Sequence, residues 1–401
     1  MICKAQAALA VLILQLFYTV DTSAAEAGST PVSVETVGDF YIYDEPLRGK
    51  PGDLLKWQAV EPLAPRTRAW RVLYQSNSAT GQPVAVSGLV AAPGPVPGHP
   101  PRDIVSWAHG TKGVNDACAP SRGFRISHNI FDIAPQILAE GWIAVATDYE
   151  GLGTAGVHPY LVAASEAYGQ LDIVRAARQL PELSASRRVA GWGRSQGGHA
   201  TLALAEHALG YAPELDLVGV ISAAPVGDMP LIFLGSALQG ASFNWLVAAG
   251  LEAAWGLELP AYYTQEALAE LRSLLAGNTA CYYEFSEAVK ARRGVGMRPG
   301  LLLGLFDEIP AVYELLKRSN VGDDPISVPV MVSQGDADKI VPTWLTDALV
   351  DRMCELGVQV DYRVHSGESH NDSTFLHMPE FREWTRDRFD GVPAQGCQST
   401  D

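Results

Sequence analysis

The chain has 401 residues, and 29 Lys and Arg against 45 Asp and Glu leave it with a formal charge of −16. That deficit excludes a surface built to track nucleic-acid phosphates, since no basic run offsets it locally. The 47% hydrophobic and 18% charged content excludes a disordered chain, and 38 Gly with 26 Pro argue for a loop-rich α/β or β protein over a helical bundle.

Residues 1–25 read as an export signal: Lys4 supplies a basic start, Ala7 to Phe17 an apolar run, and Ser23-Ala24-Ala25 a small-residue cleavage site. The run is broken by Gln15 and Asp21 and is too short to span a bilayer. The expectation is a secreted or periplasmic protein starting near Glu26, without stable membrane insertion. Removing one Lys and one Asp leaves the charge at −16. Four cysteines follow the signal, Cys118, Cys281, Cys354 and Cys397. An even number in an oxidising compartment implies two disulfides, with three pairings open. None has the C-x-x-C spacing of a zinc knuckle or redox motif.

The stretch to about Pro65, punctuated by Pro and Gly, is expected to wrap the body, and strand-like patterning begins at Ala69. Trp70–Gln75 and Val84–Val90, separated by a turn around 78–82, predict an antiparallel hairpin. Buried strands follow at Ile104–Ala108 and Trp142–Thr147, with a helix around Ile130–Ala139 between them. Tyr168, Leu171, Ile173, Val174 and Ala177 have helical spacing. A short strand at Arg188–Gly191 turns sharply through Ser195 into a helix from about Gly198 to Ala208. Leu217–Ile221, Val328–Ser333 and Val358–Val364 are the remaining strands. Strands alternating with helices predict an α/β protein with a mostly parallel sheet and helices on both faces. The alternation stops over 226–327, a helical stretch carrying Trp245, Trp255, Tyr262, Tyr263, Tyr282 and Tyr283. That stretch is expected to be a cap inserted over the carboxyl edge of the sheet, between core parts 26–225 and 328–401.

Gly193-Arg194-Ser195-Gln196-Gly197 fits G-x-S-x-G. In so glycine-rich a chain the pattern gains its weight from position, directly between a predicted strand and a predicted helix, as a nucleophile elbow requires. Ser195 would hold a strained backbone, and the residues two before and two after it must be nearly free of side chain. A serine hydroxyl needs a base, and the base an orienting acid, in the chain order Ser, acid, His. After the last strand come His365, His370 and His377; His365 continues the strand and His377 falls in a helical pattern, so His370 is the expected base. Asp336 and Asp338 both follow a buried strand; Asp338 is the expected acid and Asp336 the organiser of the turn. The oxyanion hole is expected from the backbone N–H of Gln196 and of Thr111, with Gly110 permitting close approach and His109 beside it.

The stretches Ser106–Thr111, Cys118–Ser121, Asp148–Gly153 with His158-Pro159-Tyr160, Gly191–Gly198 and Gly335–Pro342 together resemble the secretory lipase family of α/β-hydrolases, over about Phe40 to Phe389. The Asp148–Tyr160 block joined to the elbow is far more specific than G-x-S-x-G alone. The resemblance implies an α/β-hydrolase fold, a Ser-Asp-His triad, an inserted helical cap and hydrolysis of carboxylic esters, triacylglycerols included. It also implies disulfides Cys118–Cys281 and Cys354–Cys397.

The expected activity is that of an exported serine esterase or lipase working through an acyl-enzyme. It needs no cofactor or metal, takes a small-molecule ester or lipid, and is a monomer. His109, Gly110, Trp245 and Trp255 are candidates for substrate contact, against the simpler reading that the aromatic residues pack the cap helices. A serine peptidase of the prolyl-oligopeptidase or tripeptidyl aminopeptidase type is the alternative enzyme. A non-catalytic binding protein on the same fold is the alternative class.

Overall fold

The sheet begins one strand earlier than the sequence patterning suggests. The computed structural model describes residues 38–123, 130–181, 183–298 and 310–397, so the expected export signal lies outside the described residues. Within the stretch expected to wrap the body, Leu54–Val60 forms edge strand β1, antiparallel to β2 (Thr67–Asn77). Its side chains are partly to fully exposed on both faces, so it lacks the alternation that marks a half-buried strand. The expected hairpin follows as β2 with β3 (Pro83–Pro93), paired residue for residue from Thr67 opposite Pro93 to Asn77 opposite Pro83.

The remaining elements, in chain order, are β4 (Arg102–Ala108), α1 (Ile130–Ala139), β5 (Ile143–Thr147), α2 (Ala163–Ala177), β6 (Ala185–Arg194), α3 (Gln196–Tyr211) and β7 (Asp216–Ala223). After a helical stretch come β8 (Val330–Gly335), α9 (Thr343–Glu355), β9 (Val360–His365), the single turn α10 (Asp372–Phe375) and α11 (Met378–Phe389). The nine described strands form one sheet ordered β1-β2-β3-β5-β4-β6-β7-β8-β9, antiparallel as far as β5 and parallel from there to β9. This is the α/β-hydrolase arrangement.

The period-2 geometry of the strands sorts neighbouring side chains to opposite faces. Ile104, Val145, Val189 and Val220 pack with Leu171 and Val174 of α2, Leu202 and Leu204 of α3, and Leu349 and Met353 of α9. Val105, Ala144, Ala190 and Ile221 face the other way, against Ile133 and Ile137 of α1 and Phe381 and Trp384 of α11. Both faces are therefore covered, which is why these strands read as continuous apolar runs.

Between β7 and β8 the described chain forms α4 (Met229–Leu238), α5 (Phe243–Trp255), α6 (Gln265–Gly277), α7 (Tyr282–Arg292) and α8 (Pro310–Lys317). These helices have an apolar cluster of their own around Trp245, Leu246, Leu251, Tyr263, Leu271 and Phe285. Val114, Tyr160 and Leu161, from loops at the carboxyl ends of β4 and β5, belong to the same cluster. The stretch is thus seated on the edge of the sheet where those loops emerge.

Candidate active site

Ser195 sits between the end of β6 and the start of α3, at φ 60° and ψ −120°. A non-glycine residue holds such a conformation only when its surroundings impose it. Here the Ser195 N–H donates to the Ala223 carbonyl on β7 at 2.8 Å, and its own carbonyl accepts from His199 N–H at 3.1 Å. The flanking glycines are forced by the same tight turn. A Cβ on Gly193 would collide with the Gly197 carbonyl oxygen, and one on Gly197 with the carbonyl oxygen of Ala108. The turn lifts the Ser195 hydroxyl off the sheet edge, and the structure places it 2.9 Å from His370 Nε2.

His370 lies in the loop between β9 and α10, and its Nδ1 is 2.6 Å from Asp338 Oδ2. Asp338 follows β8 and uses both carboxylate oxygens. Oδ1 accepts the backbone N–H groups of Ile340 at 2.8 Å and Val341 at 2.9 Å, while Oδ2 also accepts from Gln334 Nε2 at 3.1 Å. Burial pushes the Asp338 carboxyl up, but His370 and these donors outweigh it and hold it below the ordinary Asp value. The turn-organising role that the sequence reading assigns to Asp336 therefore falls to Asp338 itself. Asp336 instead reaches the neighbouring loop, where its Oδ1 accepts Gly367 N–H at 2.6 Å.

One neighbour was not legible in sequence. Arg194, 8% exposed, donates to the His370 carbonyl at 3.3 Å and to Asn371 Oδ1. Burial and the Arg194 cation lower the His370 pKa below its usual value, more than the Asp338 carboxylate raises it. The neutral ring, the form that a proton acceptor requires, is thereby favoured. Burial lowers Arg194 itself to about 10, against the pull of Asp338. Nothing in a G-x-S-x-G pattern says where the x side chain turns, so only the fold reveals this contact.

Gln196 is the first residue of α3, where an N–H has no carbonyl one turn back to bond. Its side chain donates to Glu166 at 2.7 Å and faces His158 Nε2 at 2.8 Å; Glu166 also pairs with His199 Nδ1 at 2.8 Å. This fully buried set beneath the elbow joins α2 to α3 and was also missed, because its two halves, His158 with Glu166 and Gln196 with His199, lie thirty or more residues apart. A Cβ on Gly110 would stand 3.6 Å from Ser195 Cβ, so the backbone at Gly110 passes beside Ser195. Thr111 is braced by a 2.6 Å bond between its hydroxyl and that of Tyr160.

His109 is enclosed, with its nitrogens against the carbonyls of Gly110 and Asp148, its ring on Tyr149, and burial lowering its pKa to about 3. The Asp148–Tyr160 block acts as scaffolding for this loop. Asp148 accepts from Ser87 Oγ at 2.6 Å and Ser121 N–H at 2.9 Å, and the Tyr149 hydroxyl donates to the His109 carbonyl at 3.0 Å.

The helical stretch is tied to the same loop. Cys118 and Cys281 form one disulfide, Tyr282 N–H donates to the Lys112 carbonyl at 2.8 Å, and Asn115 Nδ2 to the Leu274 carbonyl at 2.9 Å. Cys354 and Cys397 form the second disulfide, holding the chain after α11 against the end of α9. A cavity of about 330 Å³ opens between the helices and the Asp338 loop, walled by Leu231, Ile232, Phe243, Tyr282, Ile340 and Leu345. Neither tryptophan offered as a substrate contact lines it. Trp245 is fully buried in the helical cluster with Nε1 donating to the Val295 carbonyl at 2.7 Å, and Trp255 lies under the Arg318 guanidinium.

The family model for secretory lipases matches residues 117–397. A protein named probable inactive lipase from Mycobacterium tuberculosis is 28% identical over 363 residues, covering 86% of this chain and 79% of that one. Lipase A of Arthroderma benhamiae is 26% identical over 363 residues, covering 82% and 73%. Among solved structures, Candida antarctica lipase A superposes with a TM-score of 0.72 at 20% identity, covering 86% of this chain and 84% of that one. The rice cell wall degrading esterase LipA of Xanthomonas oryzae gives 0.70 at 20% identity, covering 86% and 100%.

Proposed function

The chain belongs to the secretory lipase family, and from that premise we propose that it is an exported serine hydrolase of carboxylic esters. The observation that carries the reading is the continuous relay from Ser195 Oγ to His370 Nε2 at 2.9 Å and from His370 Nδ1 to Asp338 Oδ2 at 2.6 Å. Ser195 attacks the ester carbonyl as its proton passes to His370 Nε2, and Asp338 stabilises the imidazolium that forms. The negative charge on the carbonyl oxygen is met by the backbone N–H groups of Gln196 and Thr111. Collapse of the tetrahedral intermediate breaks the ester C–O bond, and His370 returns its proton to the departing alkoxide. Water, deprotonated by the same ring, then attacks the acyl-enzyme, releasing the acid and restoring the serine.

One relative is named a probable inactive lipase, and what supports activity here is that all three triad side chains are present and in contact. The helical stretch within 226–327 serves as the cap, and the cavity between it and the Asp338 loop is mainly apolar but also lined by Lys290 and Lys339, with Ser195 and His370 not among its walls. A peptidase would need acidic groups to hold a substrate amine, but Glu252 and Glu270 on the cap are engaged by Arg272 and Arg292. Residues 1–25 direct export, after which the two disulfides form in an oxidising compartment. None of the described helices is long and apolar enough to cross a membrane.

The test is covalent labelling with a fluorophosphonate, beside turnover of p-nitrophenyl esters of increasing chain length and emulsified triglyceride. Wild type is expected to label and turn over, and Ser195→Ala to do neither, with a loss in kcat on the order of 10⁴ to 10⁶. Labelling that persists in Ser195→Ala, or turnover near wild type, would overturn the assignment. A rise in rate above the solubility limit identifies a lipase, and a plateau an esterase.

A further inference from the structure

Two of the three histidines that follow the last strand take no part in the relay, yet they are brought together. His365, at the end of β9, and His377, just before α11, stack with ring centroids 3.5 Å apart and planes 17° apart. Glu368, from the loop between them, reaches His377 Nε2 at 2.9 Å. One nitrogen from each ring and one Glu368 oxygen lie within 4.8 Å of one another. We propose that His365, Glu368 and His377 bind a divalent transition-metal ion of the zinc class.

The donor set is two imidazoles and a carboxylate, which zinc accepts with one position left for water. The outer contacts are those that orient metal-binding histidines. His377 Nδ1 is held by Glu380 at 2.8 Å, and Glu380 in turn by Arg363 at 2.8 Å. The Ser333 hydroxyl gives its proton to the Ser373 carbonyl at 2.7 Å, so at 3.0 Å its oxygen accepts from His365 Nε2–H. That tautomer leaves a lone pair on His365 Nδ1. Ligands around tetrahedral zinc stand about 3.4 Å apart, so Glu368 and His377 Nε2, at 2.9 Å, must part slightly while the widest pair, within 4.8 Å, closes. Torsions of three partly exposed side chains can supply that movement. Without an ion, His377 Nε2 pairs with Glu368 while His365 bonds Ser333, so metal binding must displace the Nε2 proton of His377.

The position matters because Glu368 lies two residues before His370. Its carbonyl accepts Ala337 N–H at 3.0 Å, in the loop that carries Asp338. A bound ion would fasten the end of β9, the His370 loop and the start of α11 to one another, without touching substrate. The ion is thus a positioning and stabilising element.

The experiment uses tag-free, metal-stripped full-length protein, with Zn²⁺ followed by calorimetry and Co²⁺ by visible absorption. One ion per chain, a tetrahedral Co²⁺ band and a Tm that rises with Zn²⁺ are expected. His377→Gln, Glu368→Gln and His365→Ala should each abolish the band while circular dichroism shows a folded chain. Glu380→Gln should weaken binding about 10- to 100-fold, and His370→Gln should leave it intact. Absence of stoichiometric binding in wild type overturns the proposal. So does binding that survives in the folded ligand variants, or binding lost in His370→Gln, which would place the ion at the triad instead.

Discussion

The elbow with its two late loops and the helical stretch between β7 and β8 each enclose a buried cluster, but what holds each in place differs. At the elbow the buried groups are polar, and each is set by directional bonds: Ser195 to Ala223 and His370, Asp338 to three N–H donors beyond His370, and Gln196 to Glu166. In the helical stretch the buried groups are mainly apolar, and only a few bonds, such as Tyr263 to Asn244 and Trp245 to Val295, are directional. Directional bonds specify positions to a fraction of an ångström, as proton transfer requires. Apolar packing specifies volume and tolerates many sequences that fill it. The first region thus fixes positions, and the second fixes a volume.

That contrast can be broken most sharply at Gly197. Gly197→Ala drives a Cβ into the Ala108 carbonyl, so loss of folded protein is expected. In whatever folds, ester turnover should fall at least about 100-fold. Turnover within a few-fold of wild type would show that the elbow is as plastic as the helices. Trp245→Ala should have the opposite signature, a stability loss of about 3–5 kcal/mol by denaturant unfolding. Its kcat on a short soluble ester should hold within about tenfold, because the triad does not touch it. A collapse of kcat with unchanged stability would contradict the division.

The disulfides give a finer test, since they bridge different pairs of regions. Cys118→Ser with Cys281→Ser is expected to cost about 2–4 kcal/mol and also to lower kcat/KM, because this bridge joins the helical stretch to the chain just beyond Thr111. Cys354→Ser with Cys397→Ser should lower Tm with kcat/KM unchanged. Equal kinetic effects would mean that the Thr111 loop is independent of the helices above it.

The smallest expected effect is electrostatic. In the proposed mechanism only neutral His370 accepts the Ser195 proton, so kcat/KM is expected to fall as pH drops through the pKa of His370. Burial and Arg194 hold that pKa below the ordinary His value, which extends activity toward acid. Arg194→Gln removes a positive charge beside the ring, makes the imidazolium easier to form, and should move the acid limb to higher pH. A limb that stays in place or moves down would show that burial alone sets it.

Much of this site was legible because it is local. The elbow occupies five consecutive residues, and its glycines are demanded by backbone collisions at that turn. The late Asp and His follow strands whose apolar runs are plain. Element ends were less legible: β6 runs from Ala185 to Arg194 where the pattern reads only Arg188–Gly191 as strand, because pairing with β4 and β7 carries both the partly to fully exposed Ala185–Arg187 and the buried Trp192–Arg194 into the sheet. β1 was invisible for the same reason, being held by ladder bonds to β2 and not by any buried face of its own.

By itself, then, the sequence determined the sheet's alternation and singled out Ser195, Asp338 and His370, three side chains that the fold brings into contact. Each rests on contacts between near neighbours or on the period of a strand. Only the tertiary structure decided that Asp338 both turns its loop and orients His370, that Arg194 faces that ring, that Glu166 and His199 lie under Gln196, and that His365 and His377 stack. Those contacts join separate elements and depend on distances that exist once the sheet has brought its carboxyl ends to one edge, and no periodicity along the chain encodes them.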